Sequence, residues 1–180
     1  NSDLSFDLEP LQREIIPGKR SRTRAFIKAQ DGCDNRCTFC ITTIARGSAQ
    51  SKKIDDLIFE INSLTSESIN ESRTPVREIV LTGVHLGAWG KDLISPLTLK
   101  DLISAILNNT TVPRIRLSSL EPWDLDDDFF NLWVNPRMCR HLHLPLQSGC
   151  AATLRRMARK TSLKSYRELI QKARTAIPGV

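Results

Sequence analysis

Thr23-Arg24-Ala25-Phe26-Ile27-Lys28-Ala29-Gln30-Asp31-Gly32-Cys33-Asp34-Asn35-Arg36-Cys37-Thr38-Phe39-Cys40 is the run that decides how this chain folds. Its first half alternates, with Ala25, Ile27 and Ala29 opposing Lys28 and Gln30. That is the period of a strand with one buried face, predicted here over Thr23–Asp31. Its second half is a loop with the spacing C-x3-C-x2-C: three thiolates, Cys33, Cys37 and Cys40, and not four. An iron–sulfur cube has four iron corners, and Cys thiolates are its usual ligands. Three ligands leave one corner open, as a catalytic zinc site keeps one position free.

Outward from this run the chain alternates between two periods. Ile54, Leu57, Ile58, Ile61 and Leu64 fall at helical spacing, and a polar loop follows from Thr65 to Thr74, closed by Pro75. Val76–Gly83 reads as a second strand, and Leu97–Leu107 as a helix with Leu99, Leu102, Ile103 and Ile106 on one face. Arg114–Leu120 is the third predicted strand, followed by a helix near Leu125–Val134 whose acidic first turn suits the helix dipole. His141–Gln147 is the fourth, with a short helix near Ala151–Ala158 and a longer one near Leu163–Ala176 behind it. Strands alternating with helices predict βαβ units and a parallel sheet. Residues 1–22 have no sustained period, with Pro10, Pro17, Gly18 and the basic run Lys19-Arg20-Ser21-Arg22, and read as a linker entering a domain of residues 23–180. Pro178-Gly179 would turn the chain toward a fifth strand, so the domain is expected to be cut after about four β/α units.

The strand faces choose between sheet architectures. Strands of an ordinary parallel sheet are buried on both faces and read as continuous apolar runs. Here Ile79 and Leu81 oppose Glu78 and Thr82, Ile115 and Leu117 oppose Arg114, Arg116 and Ser118, and Leu142, Leu144 and Leu146 oppose His141, His143 and Gln147. Charged groups avoid burial unless paired, so a polar inner face implies a lined cavity. The expected fold is α/β, a partial (open) β/α barrel around a polar cofactor; a plain edge-exposed sheet is the alternative.

The bulk properties are those of a globular protein: 180 residues, 40% hydrophobic and 26% charged. No apolar run approaches a membrane span and nothing resembles a signal peptide, so the expected location is the cytoplasm. Five cysteines, three of them clustered, suit metal binding better than a disulfide framework. The net charge of +6 favours an anionic partner. Basic residues gather from Arg13 to Lys28 and from Arg155 to Arg174, and the ordinary reading of such stretches is solvated helix faces. A structural zinc site would need a fourth ligand, and Cys139, Cys150, His141 and His143 lie about a hundred residues away. Cys139 and Cys150 read as ordinary cysteines, His141 and His143 as wall residues, and His85 as either a loop hydrogen-bonder or a binding residue.

The aromatic residue before the last cysteine gives C-x3-C-x-Φ-C, which resembles the radical S-adenosylmethionine (SAM) superfamily. The flanks are similar to its methylthiotransferases: Gln30-Asp31-Gly32-Cys33, Cys40-Ile41 with Ala45-Arg46-Gly47, Arg116-Leu117-Ser118-Ser119-Leu120-Glu121-Pro122, and His143-Leu144-Pro145-Leu146-Gln147-Ser148-Gly149. Thr82-Gly83-Val84-His85-Leu86-Gly87 looks most like the branch that acts on N6-threonylcarbamoyladenosine beside the tRNA anticodon. Thr42-Thr43 and Gln50-Ser51-Lys52 depart from that family's usual Ile-Pro and Arg-Ser-Arg runs.

The resemblance implies a [4Fe–4S] cluster on Cys33, Cys37 and Cys40 whose open iron chelates SAM. Reductive cleavage of SAM would give a 5′-deoxyadenosyl radical, with sulfur then inserted at the adenine C2 position and methylated. Phe39 would shield the cluster and Gly83 would meet the SAM amino group. Ser118, Glu121 and Gln147 would contact SAM or substrate. The implied partners are a tRNA anticodon stem-loop and an electron donor. Such enzymes also carry an N-terminal domain with a second cluster and a C-terminal RNA-binding domain, so the chain is expected to be an internal fragment, inactive in full turnover alone. The sister branch, which modifies a ribosomal protein, and a zinc-stabilised nucleic-acid-binding module are the competing readings.

Overall fold

The computed structural model describes residues 23–66 and 75–180. The predicted linker 1–22 and most of the polar loop before Pro75 lie outside the described residues. Strand β1 (Arg24–Asp31) starts the domain. It is followed by a short helix α1 (Thr42–Arg46), a two-residue strand β2 (Gln50–Ser51) and helix α2 (Ile54–Thr65). Strand β3 (Glu78–Gly83), helix α3 (Leu99–Asn109) and strand β4 (Arg114–Leu117) come next. Helices α4 (Ala151–Arg156) and α5 (Leu163–Ala176) close the chain. The sheet order is β2-β1-β3-β4, with β1, β3 and β4 parallel and β2 antiparallel to β1.

The expected face division is present. Ile27, Ile79, Leu81, Ile115 and Leu117 pack against Leu57 and Ile61 of α2 and Leu102, Ile103 and Ile106 of α3 in one apolar core. Each such side chain contributes roughly 1.5–3 kcal/mol by leaving water. The other face carries Arg24, Glu78, Arg114 and Arg116 at the N-terminal ends of the strands. There Glu78 takes Arg24 at 2.7 Å, Arg116 at 3.0 Å and Arg114 at 3.1 Å. Burial alone would raise the Glu78 carboxyl, but Arg116, Arg24 and Arg114 outweigh it and hold it below the usual carboxylate range. A cavity of about 670 Å³, lined in part by Arg114, Arg116, Arg140 and His141, opens beside them. The sheet is thus a partial, open β/α barrel with a charged concave side.

Three sequence expectations change. The segment His141–Gln147 is not a strand: beyond β4 the sheet continues only as lone bridges, Ile115 to Met138 and Ser119 to His143. The reasons are local. The His141 N–H turns back onto Cys139 O at 2.7 Å, Pro145 has no N–H to give, and Gln147 adopts φ 76°. β4 itself stops at Leu117 instead of Leu120; past it, Leu120 N–H makes only the lone bridge bond to His143 O, at 3.0 Å. The helix expected near Leu125–Val134 is a 3₁₀ segment, Asp127–Val134, opened by Asp126 Oδ1 accepting from Phe129 N–H. Phe129 packs against both Phe130, at 6.5 Å between ring centroids, and Trp133, at 5.8 Å. Phe129, Phe130 and Leu132 are buried along this segment. Four short pieces went unpredicted, α1, β2 and the 3₁₀ turns Leu86–Ala88 and Pro122–Asp124, all too short to show a period.

Candidate active site

Cys33 follows the end of β1, Gly83 ends β3 and Ser118 follows β4, whereas Gln147, expected in a strand, lies in none. The cysteine loop leaves β1 through a set of local bonds. The Asp31 carboxylate accepts from Gly32 N–H at 2.9 Å and from Lys28 at 2.7 Å, with Arg46 at 3.3 Å. Those bonds, led by Lys28, keep Asp31 below its ordinary pKa. Gly32 turns the chain at φ 68°, and Cys33 N–H then donates to Gly47 O at 3.0 Å. Gln30, which the alternation put on a polar face, is buried as a clamp. Its amide nitrogen donates to Asp31 O and Gly32 O, and its Oε1 accepts the His85 N–H at 2.8 Å.

The three cysteines are free thiols, Cys33 and Cys37 half-buried and Cys40 exposed. Burial pushes the Cys33 thiol up, partly offset by the Asn35 N–H that points at its sulfur from 3.4 Å. Thr42 acts oppositely on Cys40, whose sulfur lies 3.1 Å from the Thr42 hydroxyl, and lowers it. Cys37 and Cys40 are near enough to Cys33 to act on it electrostatically. Yet among the described residues no three His, Cys, Asp or Glu side chains are gathered around one point as a single ion requires. Three free thiols on one loop are the donor set of a cluster with one open iron, whereas a structural zinc site takes four ligands.

Two supports hold the loop from opposite sides. On one, the Asn35 amide nitrogen lies 3.2 Å from His85 Nδ1, and His85 Nε2 lies 2.6 Å from Asp124 Oδ2. Asn35 donates, so Nδ1 accepts and Nε2 carries the proton toward Asp124. Asp124 is buried, which raises its carboxyl, but His85 and Lys91 outweigh that and hold it low. His85 is therefore a loop hydrogen-bonder in this structure. On the other side Thr38 reaches the end of α4, its hydroxyl donating to Arg156 O at 2.7 Å and its N–H to Met157 O at 3.3 Å.

The remaining candidates divide by what they touch. Gly83 ends β3 and packs against Gln30. Phe39 stands half out in solvent between Cys37 and Cys40, at 50% exposure. Ser118, the first residue past β4, has a buried hydroxyl with no hydrogen-bond partner among the described residues. An orphaned buried donor at a site rim is what a bound polar group would satisfy. Glu121 is occupied: both its oxygens are forked by Arg159, at 3.0 and 2.6 Å. Gln147 is exposed, in a left-handed turn. His143 bonds Ser119 at 2.9 Å and neither it nor His141 joins the cysteines. Sequence reasoning missed Gln30, Asn35, Asp124, Trp123 and Arg159. Gln30 and Asn35 lie inside or beside the cysteine run and could have been found by asking what satisfies that loop's backbone. Arg159 carried no such signal.

The chain belongs to the Radical SAM superfamily, whose family model matches residues 27–180. Proteins of that superfamily use a [4Fe–4S] cluster and SAM. Its relatives are methylthiotransferases, as the motifs indicated. The chain is 35% identical over 171 residues to the threonylcarbamoyladenosine tRNA methylthiotransferase MtaB of Thermotoga maritima, spanning 94% of this chain and 37% of that protein. It is 31% identical over 186 residues to the tRNA-2-methylthio-N(6)-dimethylallyladenosine synthase of Clostridioides difficile, spanning 100% of this chain and 37% of that one. The chain thus spans little more than a third of the length of these relatives. Among solved structures it resembles the radical S-adenosylmethionine methyltransferase TsrM of Kitasatospora setae, determined with cobalamin and a [4Fe–4S] cluster. The TM-score is 0.59 at 16% identity, over 84% of this chain and 28% of that one, a likeness of fold. Among the described residues no helix is long and apolar enough to cross a membrane.

Proposed function

We propose that this chain is the radical-SAM core of a tRNA-modifying methylthiotransferase that places a methylthio group on C2 of N6-threonylcarbamoyladenosine beside the anticodon. The observation that carries the reading is the rim loop of three free thiols, Cys33, Cys37 and Cys40, braced by Asn35–His85–Asp124 on one side and by Thr38 on the other. These cysteines would hold the cluster, and when bound the cluster and SAM supply the radical chemistry at the purine carbon. Asn35 N–H and Thr42 tune the sulfurs by hydrogen bonding. Phe39 covers the solvent side of the loop. Ser118 offers its unpaired hydroxyl to SAM or substrate, and Gly83 leaves the end of β3 without a side chain.

The exposed basic residues Arg155, Arg156, Lys160 and Arg167 suit phosphate contacts to an RNA stem-loop, with affinity falling steeply in salt. A splayed purine is how RNA loops are commonly read. The branch assignment rests on Thr82-Gly83-Val84-His85-Leu86-Gly87. Relatives named for dimethylallyladenosine match at nearly the same identity, so the test must separate the two bases. Nucleoside analysis of tRNA from cells lacking the gene should show the methylthio group gone from threonylcarbamoyladenosine and kept on dimethylallyladenosine. The reverse pattern moves the protein to the second branch, and no change in either defeats the tRNA reading. Anaerobic reconstitution that yields one bound zinc and no visible absorption defeats the radical reading altogether.

A further inference from the structure

Asp124 and His85 stand at two separate 3₁₀ turns beyond the strand ends, Asp124 closing Pro122–Asp124 and His85 leading into Leu86–Ala88. Their side chains are 4% and 8% exposed. Polar groups buried to that degree persist only where their donors and acceptors are met. These two meet each other, and what remains of the imidazole is met by the cysteine loop.

The proton on the pair has one consistent place. An ionised carboxylate only accepts, so His85 Nε2, 2.6 Å from Asp124 Oδ2, carries the hydrogen. Asn35 stands 3.2 Å from Nδ1. A neutral ring takes the Asn35 N–H there, whereas a charged ring would turn the amide over to present its oxygen. The backbone of His85 is tied to the same loop. Its N–H goes to Gln30 Oε1 at 2.8 Å, and Gln30 Nε2 donates to Asp31 O and Gly32 O, just ahead of Cys33. Gly87 makes the room: a Cβ there would lie 2.5 Å from Asp124 Oδ2 and 2.6 Å from its Cβ.

The far end of this relay is a sulfur. The Asn35 side chain meets His85, and the Asn35 backbone N–H points at Cys33 Sγ from 3.4 Å. We infer that Asp124 and His85 are positioning residues. By fixing one tautomer of His85 they hold the Asn35 N–H against the Cys33 sulfur, and so set the reduction potential of the centre held there. This rests on the radical reading above. Hydrogen bonds to the sulfurs help set a cluster's potential, and a donor favours the more negative, reduced form. Partners outside the ligand set carry such tuning.

Two measurements test it. In the metal-free protein, nitrogen-15 NMR should show His85 as the neutral tautomer with hydrogen on Nε2. Hydrogen on Nδ1, alone or in a charged ring, overturns the inference. In the anaerobically reconstituted protein, a spectroelectrochemical titration followed by visible absorption and EPR gives the midpoint. His85→Gln keeps a group that reaches Asp124 and gives up the Nδ1 acceptor. It should lower the reduced-to-oxidised ratio at fixed potential about tenfold, a fall of about 59 mV for a one-electron couple. His85→Asn puts its side-chain oxygen where Nδ1 stood and should keep most of the wild-type potential. Gly87→Ala alters no polar group, yet by displacing Asp124 it should lower the midpoint in the same direction as His85→Gln. A merely structural role would rank the variants by volume lost, with His85→Asn the worst. That ranking, or three unchanged midpoints, overturns the inference. If His85→Gln takes up no cluster, the contrast between His85→Asn and Gly87→Ala decides. Failure of the wild-type protein to form any cluster sinks the radical reading instead, and the tautomer, read without a cluster, still decides how Asn35 is held.

Discussion

Replacing Gly32 by alanine should damage the cysteine loop more than any other single methyl group added to it. A Cβ at Gly32 would lie 1.9 Å from Ser48 O, 2.6 Å from Ser48 C and 2.8 Å from Gly47 O. All three are backbone atoms, so the relief must come from moving the Gly47–Ser48 segment. Left-handed φ costs a non-glycine residue about 1–2 kcal/mol. Overpacking of this kind adds about 1–3 kcal/mol. The bonds from Cys33 N–H to Gly47 O and from Gln30 to Gly32 O are lost or stretched, at about 1 kcal/mol each. The expected loss is about 4–7 kcal/mol, a large part of the 5–15 kcal/mol typical of a domain. Gly47→Ala is the comparison. Its φ of 74° with ψ of −163° is a glycine-only region, but a Cβ there meets nothing within 4 Å, so strain of about 1–3 kcal/mol is the whole cost. Urea unfolding of the metal-free protein followed by circular dichroism measures both. With a slope near 2 kcal/mol/M, Gly32→Ala should lower the midpoint by about 2–3.5 M. A loss under about 1 kcal/mol, or one no larger than that of Gly47→Ala, would refute the reasoning.

Ala158→Gly removes a Cβ from a left-handed C-cap and should stabilise the protein by about 1 kcal/mol, seen as a rise in melting temperature of about 2–4 °C. Glu78→Gln leaves Arg24, Arg114 and Arg116 facing one another and should cost about 2 kcal/mol at pH 7 by urea titration. The sign of its pH dependence follows from its lowered pKa. The Glu78 contribution is whole above the unfolded carboxyl value of about 4.3 and is lost as pH falls through the lower folded value. The stability difference between wild type and Glu78→Gln should therefore shrink only below about pH 4. Asp124→Asn weakens the charged partner of His85 and should cost about 1.5–3 kcal/mol at neutral pH, again narrowing on acidification. A constant difference across the acid range would show that the carboxylate charge is not what His85 and Lys91 use.

What the sequence revealed and what it hid divide along physical lines. β1, α2, the start of β4 and α5 were legible because each buries mainly one face, and burial writes its period into the chain: Ile27 and Ala29, Leu57 and Ile61, Leu169 and Ala173; β3 was legible as a short apolar run, Ile79–Leu81. The cysteine loop was legible because ligand chemistry constrains spacing directly. His141–Gln147 misled because alternation reports which faces are wet, and says nothing of whether Pro145 can donate or Gln147 can stay extended. The 3₁₀ segment hid because Phe129, Phe130, Leu132 and Trp133 satisfy a helical template loosely. Arg159 and Gln30 were misassigned for one reason: pattern reading treats a polar residue as solvent-facing. Here both are buried because specific partners on other segments meet their donors, and those partners are remote in sequence. Asp124 and Asn35 belong to the same class.

The Thr38 latch has a consequence for how the site comes to be loaded. Its partner carbonyl at Arg156 lies 118 positions further along the chain. During synthesis the cysteines emerge long before the helix end that braces them. At about 5–20 residues per second the interval is about 6–24 s. Through that time the three thiols sit on a loop lacking this wall, and until Asp124 is made lacking the other as well, open to oxidation and to adventitious metals. Ordered delivery of iron and sulfur thus belongs after translation of α4, and a scavenging or guarding factor would be of most use before it.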